Sequence, residues 1–249
     1  MLKSSIARVR GLLFANLITV AIAAPVVAWS WWHVLAATVM YIFYNNIGIV
    51  IFNHRYLSHH SFEFKYRWLY YAFSFPALVS GTGSPLGWAA LHSLHHKNSD
   101  SDSDPHQSAR GWWRTIFIFY EADDKDLLRN AIANARSCYL LVTDRYWAAI
   151  QVAWIIALGL ISFDLLYFFF MLPSAMTMLA QGATNYFGHR FGYRPHDTAD
   201  NSRNNLLLAL LNWGDGLHNN HHADPKSPST RERWYEPDVA GAVIKAISK

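Results

Sequence analysis

Charged residues vanish from long stretches of this chain. No Asp, Glu, Lys or Arg occurs from Gly11 to His54 or from Trp68 to His96, and from Tyr146 to His189 the only one is Asp164. A helix crossing the bilayer core needs about 20 apolar residues. The first window therefore holds two spans, parted near Pro25 and the run Trp29-Ser30-Trp31-Trp32, and the third holds two more, parted at Asp164. The pattern predicts spans at roughly 11–30, 34–53, 146–163 and 165–185. Pro76, Gly81, Gly83, Pro85 and Gly87 interrupt the middle window, so 68–88 reads as a broken or partly membrane-embedded segment. Helices so uncharged offer water no polar face, which argues against a soluble core. Lys3, Arg8 and Arg10 ahead of Leu12–Ala24 imitate a signal peptide, but the apolar stretch continues into a second span.

With four spans, the far-side turns are Pro25–His33 and the turn around Asp164, and all 21 Lys and Arg fall outside them. The positive-inside rule then predicts that both termini and the segments 55–145 and 190–249 are cytoplasmic. The expected fold is all-α: one integral membrane domain over 1–249, with about four transmembrane helices and two long cytoplasmic segments. Composition narrows this further. The chain is 52% apolar and 16% aromatic but only 15% charged, which excludes a disordered chain, and a formal charge of +4 suggests no nucleic-acid partner. The lone cysteine, Cys138, excludes a disulfide framework, a four-Cys zinc site and a thiolate-held iron–sulfur cluster, and it suits a reducing cytoplasm.

Most of the 13 histidines lie in short clusters. His92, His95 and His96 stand at i, i+3 and i+4 and share one helical face; His218, His221 and His222 repeat that geometry. Asn185 and His189 lie one turn apart at the end of the last predicted span. His54 and His59 are five apart, about 140° around an α-helix, and can share a metal only if the helix ends or distorts there. Imidazoles crowded on one face repel when protonated and waste hydrogen bonds when neutral and buried; a metal removes both problems. One zinc takes four ligands, so nine candidate imidazoles point to two metals, with iron, copper and zinc all compatible with nitrogen donors. His33 and His60 read as ordinary surface or core residues. Asp100, Asp102, Asp104 and Asp215 read either as outer partners of the imidazoles or as solvated acids.

The motifs HRYLSH (His54–His59), HSLHH (His92–His96) and HNNHH (His218–His222) resemble the three histidine boxes of membrane fatty-acid desaturases, nearest the acyl-CoA or Δ9-like branch. Asp104-Pro105-His106, Gly192-Tyr193-Arg194-Pro195, Gly214-Asp215-Gly216 and Trp234-Tyr235-Glu236-Pro237-Asp238 resemble that family's flanking motifs, over roughly Gly48 to Asp238. The resemblance implies a di-iron centre (two Fe2+) held by His54, His59, His92, His95, His96, His189, His218, His221 and His222, with Asn185 acting through a water. It also implies four membrane helices under a cytosolic helical cap that houses the metals and a narrow acyl tunnel. Trp88, Gln181 and Thr184 are close enough in sequence to the ligands to line it, or simply to pack helices. The family's Arg after the first His of box two is Ser93 here, and Ala90-Leu91 replace the charged pair of animal acyl-CoA enzymes. Acyl-lipid and acyl-carrier protein therefore join acyl-CoA as expected substrates. Trp113-Arg114-Thr115 also departs from the family's usual aromatic-Ser-His.

The expected reaction is O2-dependent introduction of a cis double bond into a long acyl chain. No fused haem domain is recognisable, so the expected electron donor is a separate protein such as ferredoxin or a cytochrome b-type protein. A related di-iron hydroxylase or ketolase would share these boxes. A metal transporter or haem-binding subunit would carry its polar groups inside the spans rather than at their ends.

Overall fold

A computed structural model describes residues 2–249, with side chains from Ile6 onward. It is all-helical, and no strand occurs among the described residues; only isolated bridges such as Tyr193 with Asn204 do. Helix α1 (Leu2–Ala23) stops just before Pro25, whose ring and missing N–H cannot continue it. Helix α2 (Trp31–Tyr41), whose N-cap Ser30 accepts from the His33 amide, passes unbroken into a π-helix over Ile42–Ser58. Helix α3 (Arg67–Val79) and helix α4 (Pro85–Asn98) fill the interrupted window. The cap continues through α5 (Trp112–Ile116) and α6 (Asp124–Asn134). Helix α7 (Cys138–Ile161) leads to α8 (Phe163–Leu166), a π-turn over Tyr167–Met171 and α9 (Leu172–Phe187). Short helices α10 (Leu206–Leu211), α11 (His218–Ala223) and α12 (Val239–Ile247) close the chain.

Four helical stretches are long and apolar enough to cross a membrane: Ile6–Ala23, Trp31–Ser58, Cys138–Ile161 and Phe163–Phe187. The first begins and ends earlier than the 11–30 pattern, because the helix takes in the basic start of the chain and breaks before Pro25. The third starts at Cys138, ahead of 146, because Ser137 caps it there. In the interrupted window, α3 covers only about 20 Å at 1.5 Å per residue, too short for the ~30 Å core. The chain then turns through Gly81 and Gly83, at φ 90° and 103°.

The π-helix is the centre of the packing. A Cβ on Gly48 would stand 2.6 Å from the Ala77 nitrogen and 2.8 Å from the Pro76 carbonyl carbon, so only glycine lets α3 lie this close. Val50, Phe52, Tyr56 and Leu57 form a core with Phe62, Phe64 and, from α12, Ala240 and Ile244. Helix α1 docks on α9 through Val9, Leu13 and Met178, and Asn16 donates to Ser174 at 3.2 Å. A buried polar ladder ties the spans to the segment before box three. Tyr41 and Asn45 donate to Asn212 Oδ1 at 2.7 and 3.0 Å, and Asn212 donates to Thr184 at 2.9 Å.

Candidate metal centre

The π-helix resolves the awkward spacing of the first cluster. In i→i+5 winding the fifth residue returns to nearly the same face, and the His59 amide donates to the His54 carbonyl at 3.2 Å. His54 and His59 then point the same way, with ring centroids 4.9 Å apart. Box two lies on α4, started by Ser84 as N-cap and Pro85 at the first position. Its i, i+3, i+4 spacing turns His92, His95 and His96 to that same interior. Box three lies on α11. Asn204 Oδ1 accepts from the Asn219 and Asn220 amides at 2.9 and 3.1 Å, satisfying donors that a helix start leaves free.

The structure gathers nine imidazoles into two groups. His54, His59, His92, His96 and His221 form one; His95, His189, His218 and His222 form the other; within each, the ligand atoms lie within 4.8 Å of one another. In the first, Nε2–Nε2 separations are 2.8 Å for His54–His221, 2.8 Å for His59–His92 and 3.0 Å for His96–His221. In the second, His189 and His218 are 3.1 Å apart. The buried Nε2 atoms of His95 and His222 have no hydrogen-bond partner.

Carboxylates hold the outer nitrogens. Asp104 receives His95 Nδ1 at 3.0 Å on both oxygens, Asp100 lies 2.9 Å from His189 Nδ1, and Asp215 lies 2.7 Å from His54 Nδ1. Asp200 accepts from His222 Nδ1. Each contact leaves the Nε2 lone pair for the interior. Of the four acids picked out by sequence, three meet histidines; Asp102 instead offers its backbone oxygen to Arg110 at 2.7 Å. Sequence reasoning missed Asp200, which is far from any box along the chain, and His106, whose ring centroid lies 4.2 Å from that of His95. The Asp104-Pro105-His106 motif was the signal for His106. His33 stacks on Phe168 at 4.4 Å, away from the clusters.

Burial, then mutual repulsion, pushes the pKa of His59, His92, His95, His96, His218 and His221 well below the ordinary value, and that of His222 down to about 3. Burial raises the Asp100 and Asp215 carboxyls, but the contacts with His189 and His54 outweigh it and hold both low. Neutral imidazoles with partnerless or mutually opposed nitrogens in a buried interior fit borderline divalent metals. The residues present can hold a metal.

An apolar cavity reaches the first group at His92. Ile6, Val9, Leu91, Ile118, Leu127 and Met178 make it apolar, and His92, His106, Tyr120 and Asn185 border its histidine end. Trp88 and Gln181 line it, and Trp88 stacks on His92 at 5.0 Å. Thr184 does not line it; it is buried and accepts from Asn212.

Residues 29–238 match the family model "Fatty acid desaturase". The chain is 32% identical to the sn-1 stearoyl-lipid 9-desaturase of Anabaena variabilis, over 88% of this chain and 81% of that protein. It is 35% identical to the protein of the same name from Synechocystis sp., over 88% and 70%. It is 29% identical to an acyl-CoA C20 Delta5-desaturase of Anemone leveillei, over 88% and 72%. With the family model spanning most of its length, the chain belongs to the fatty acid desaturase family and is a membrane fatty acyl desaturase.

Proposed function

We propose that the protein introduces a cis double bond into a long acyl chain of a membrane lipid, using O2 and two iron ions. The observation that carries this is a pair of buried histidine groups with an apolar cavity that reaches one of them at His92. In this reading His54, His59, His92, His96 and His221 hold one iron. His95, His189, His218 and His222 hold the other, with Asn185 contributing through a water. A C–H bond of an unactivated methylene is beyond any side-chain base, so the iron pair with O2 supplies the oxidising power. The protein supplies the rest. Carboxylates fix the tautomer and direction of His54, His95, His189 and His222, the aromatic cap excludes water, and the cavity sets the acyl chain beside the metals.

A lipid-linked chain is favoured over acyl-CoA. The two relatives from Anabaena and Synechocystis act on stearoyl-lipid by name. In addition, the polar cleft on the outer side of α4 sets Lys97, Arg110 and Arg129 against Asp102, Glu121, Asp123 and Asp126, and so has no surplus of cations for a multiply charged CoA. Both termini are assigned to the cytoplasm with the cap, and a separate protein delivers the electrons. Expression in a host without desaturases, followed by mass spectrometry of its lipids, tests the assignment. A new monoene on glycerolipid is expected. Saturated lipids despite iron-loaded protein, or a hydroxylated product, would overturn it.

A further inference from the structure

We propose that Tyr120 is a positioning residue for Asn185, and through it for the four-histidine iron site. This rests on the proposed role of Asn185. The Tyr120 hydroxyl accepts a hydrogen bond from Asn185 Nδ2 at 2.9 Å. With one Nδ2 hydrogen committed there, the planar amide is held in one orientation, and its oxygen is the atom that would accept from a water. Tyr120 also packs on the His106 ring at 5.1 Å, and His106 in turn on His95, so its own placement is tied to the same group.

The fold takes unusual measures to bring Tyr120 there. It follows α5 in a short irregular segment. Helix α5 can approach α9 closely because position 182 is glycine; a Cβ there would fall on the Ile116 backbone. Ile118 then adopts φ 60°, costly for a β-branched residue, and this turns the chain so that Ile118 and Tyr120 both face the cavity. Such strain persists only where surrounding contacts over-determine it.

Iron release to a chelator from purified protein tests this apart from turnover. Outer partners of metal ligands are worth about 10–100-fold in affinity. Tyr120 acts one hydrogen bond further out, so Tyr120→Phe is expected to speed release of one of the two irons by roughly threefold to tenfold and to leave the other unchanged. One of two Mössbauer doublets should shift, and kcat should fall with little change in KM. In an Asn185→Ala background Tyr120→Phe should add nothing. Tyr120→Trp, which keeps a ring but loses the acceptor, serves if Tyr120→Phe does not accumulate. Equal release of both irons in variant and wild type, or effects that add in the double variant, would overturn the proposal. A wild type that binds no iron overturns the site reading as well, whereas two irons indifferent to Tyr120 overturn this inference alone.

Discussion

At the scale of single residues, carboxylates decide how well the imidazoles work. Asp104 is almost completely buried and holds both oxygens on His95 Nδ1 while also accepting from the Asp100 and His106 amides at 2.9 and 3.1 Å. Asp104→Asn is expected to weaken iron retention by about 10–100-fold, measured by competition with a chelator. Glu236 does for box three what no histidine can. It accepts from Tyr193 at 2.6 Å, from Asn220 at 3.2 Å and from the Glu232 and Arg233 amides at 2.7 and 2.8 Å. Burial raises its pKa, but these donors outweigh burial and hold it below the ordinary value. Its depressed folded pKa adds stability that is present above about pH 4.3, the unfolded value, and is lost as pH falls through the folded pKa. Melting of the detergent-solubilised protein below pH 5 should therefore be steeper in wild type than in Glu236→Gln. Equal acid limbs would remove Glu236 from this role.

At the scale of elements, the π-helix and α10 carry the consequences. The π-helix presents His54 and His59 together and takes α3 against Gly48. Since backbone atoms on the facing helix cannot yield as a flexible side chain can, Gly48→Ala should force the two apart. It should cost about 1–3 kcal/mol, read as a lower melting temperature. Helix α10 is apolar all round in an unexpected place. Leu206, Leu207, Leu210 and Leu211 are exposed, although the helix lies outside the long spans, and Asn212 directly after it bonds to Tyr41 and Thr184 inside them. These bonds tie α10 to the spans, so its exposed leucines are expected to meet lipid rather than water. A tryptophan at position 207, on a background lacking nearby Trp, should be quenched by brominated lipids. A quencher confined to water should have the stronger effect only if α10 stands clear of the bilayer.

At the scale of the whole molecule, the histidines join parts of the chain that are remote in sequence. The π-helix, α4, the end of α9 and α11 each send imidazoles into the same interior. Uncompensated, their neutral and partnerless nitrogens are a liability; a bound metal would turn them into cross-links between distant segments. Removal of metal should lower the melting temperature and raise hydrogen exchange at 54–60, 92–106 and 214–223, while α1 and α7 stay protected. Uniform change across the chain would argue against the histidines as the link.

Much of this is legible in the sequence alone. Uncharged windows announce membrane helices because lipid penalises charge residue by residue, and this needs no knowledge of neighbours. The i, i+3, i+4 histidines announce a shared face for a similarly local reason. The His54–His59 spacing stated a condition, distortion of the helix, without saying which distortion would meet it. What only the tertiary structure decided depends on contacts between residues remote along the chain. These are the division of nine imidazoles into five and four, the pairing of Asp200 with His222 rather than Asp102 with any histidine, the place of Trp88 and Gln181 but not Thr184 on the cavity wall, and the reach of Tyr120 to Asn185. Local chemistry fixes which way a side chain points from its own helix; which partner it meets is settled only when the helices pack.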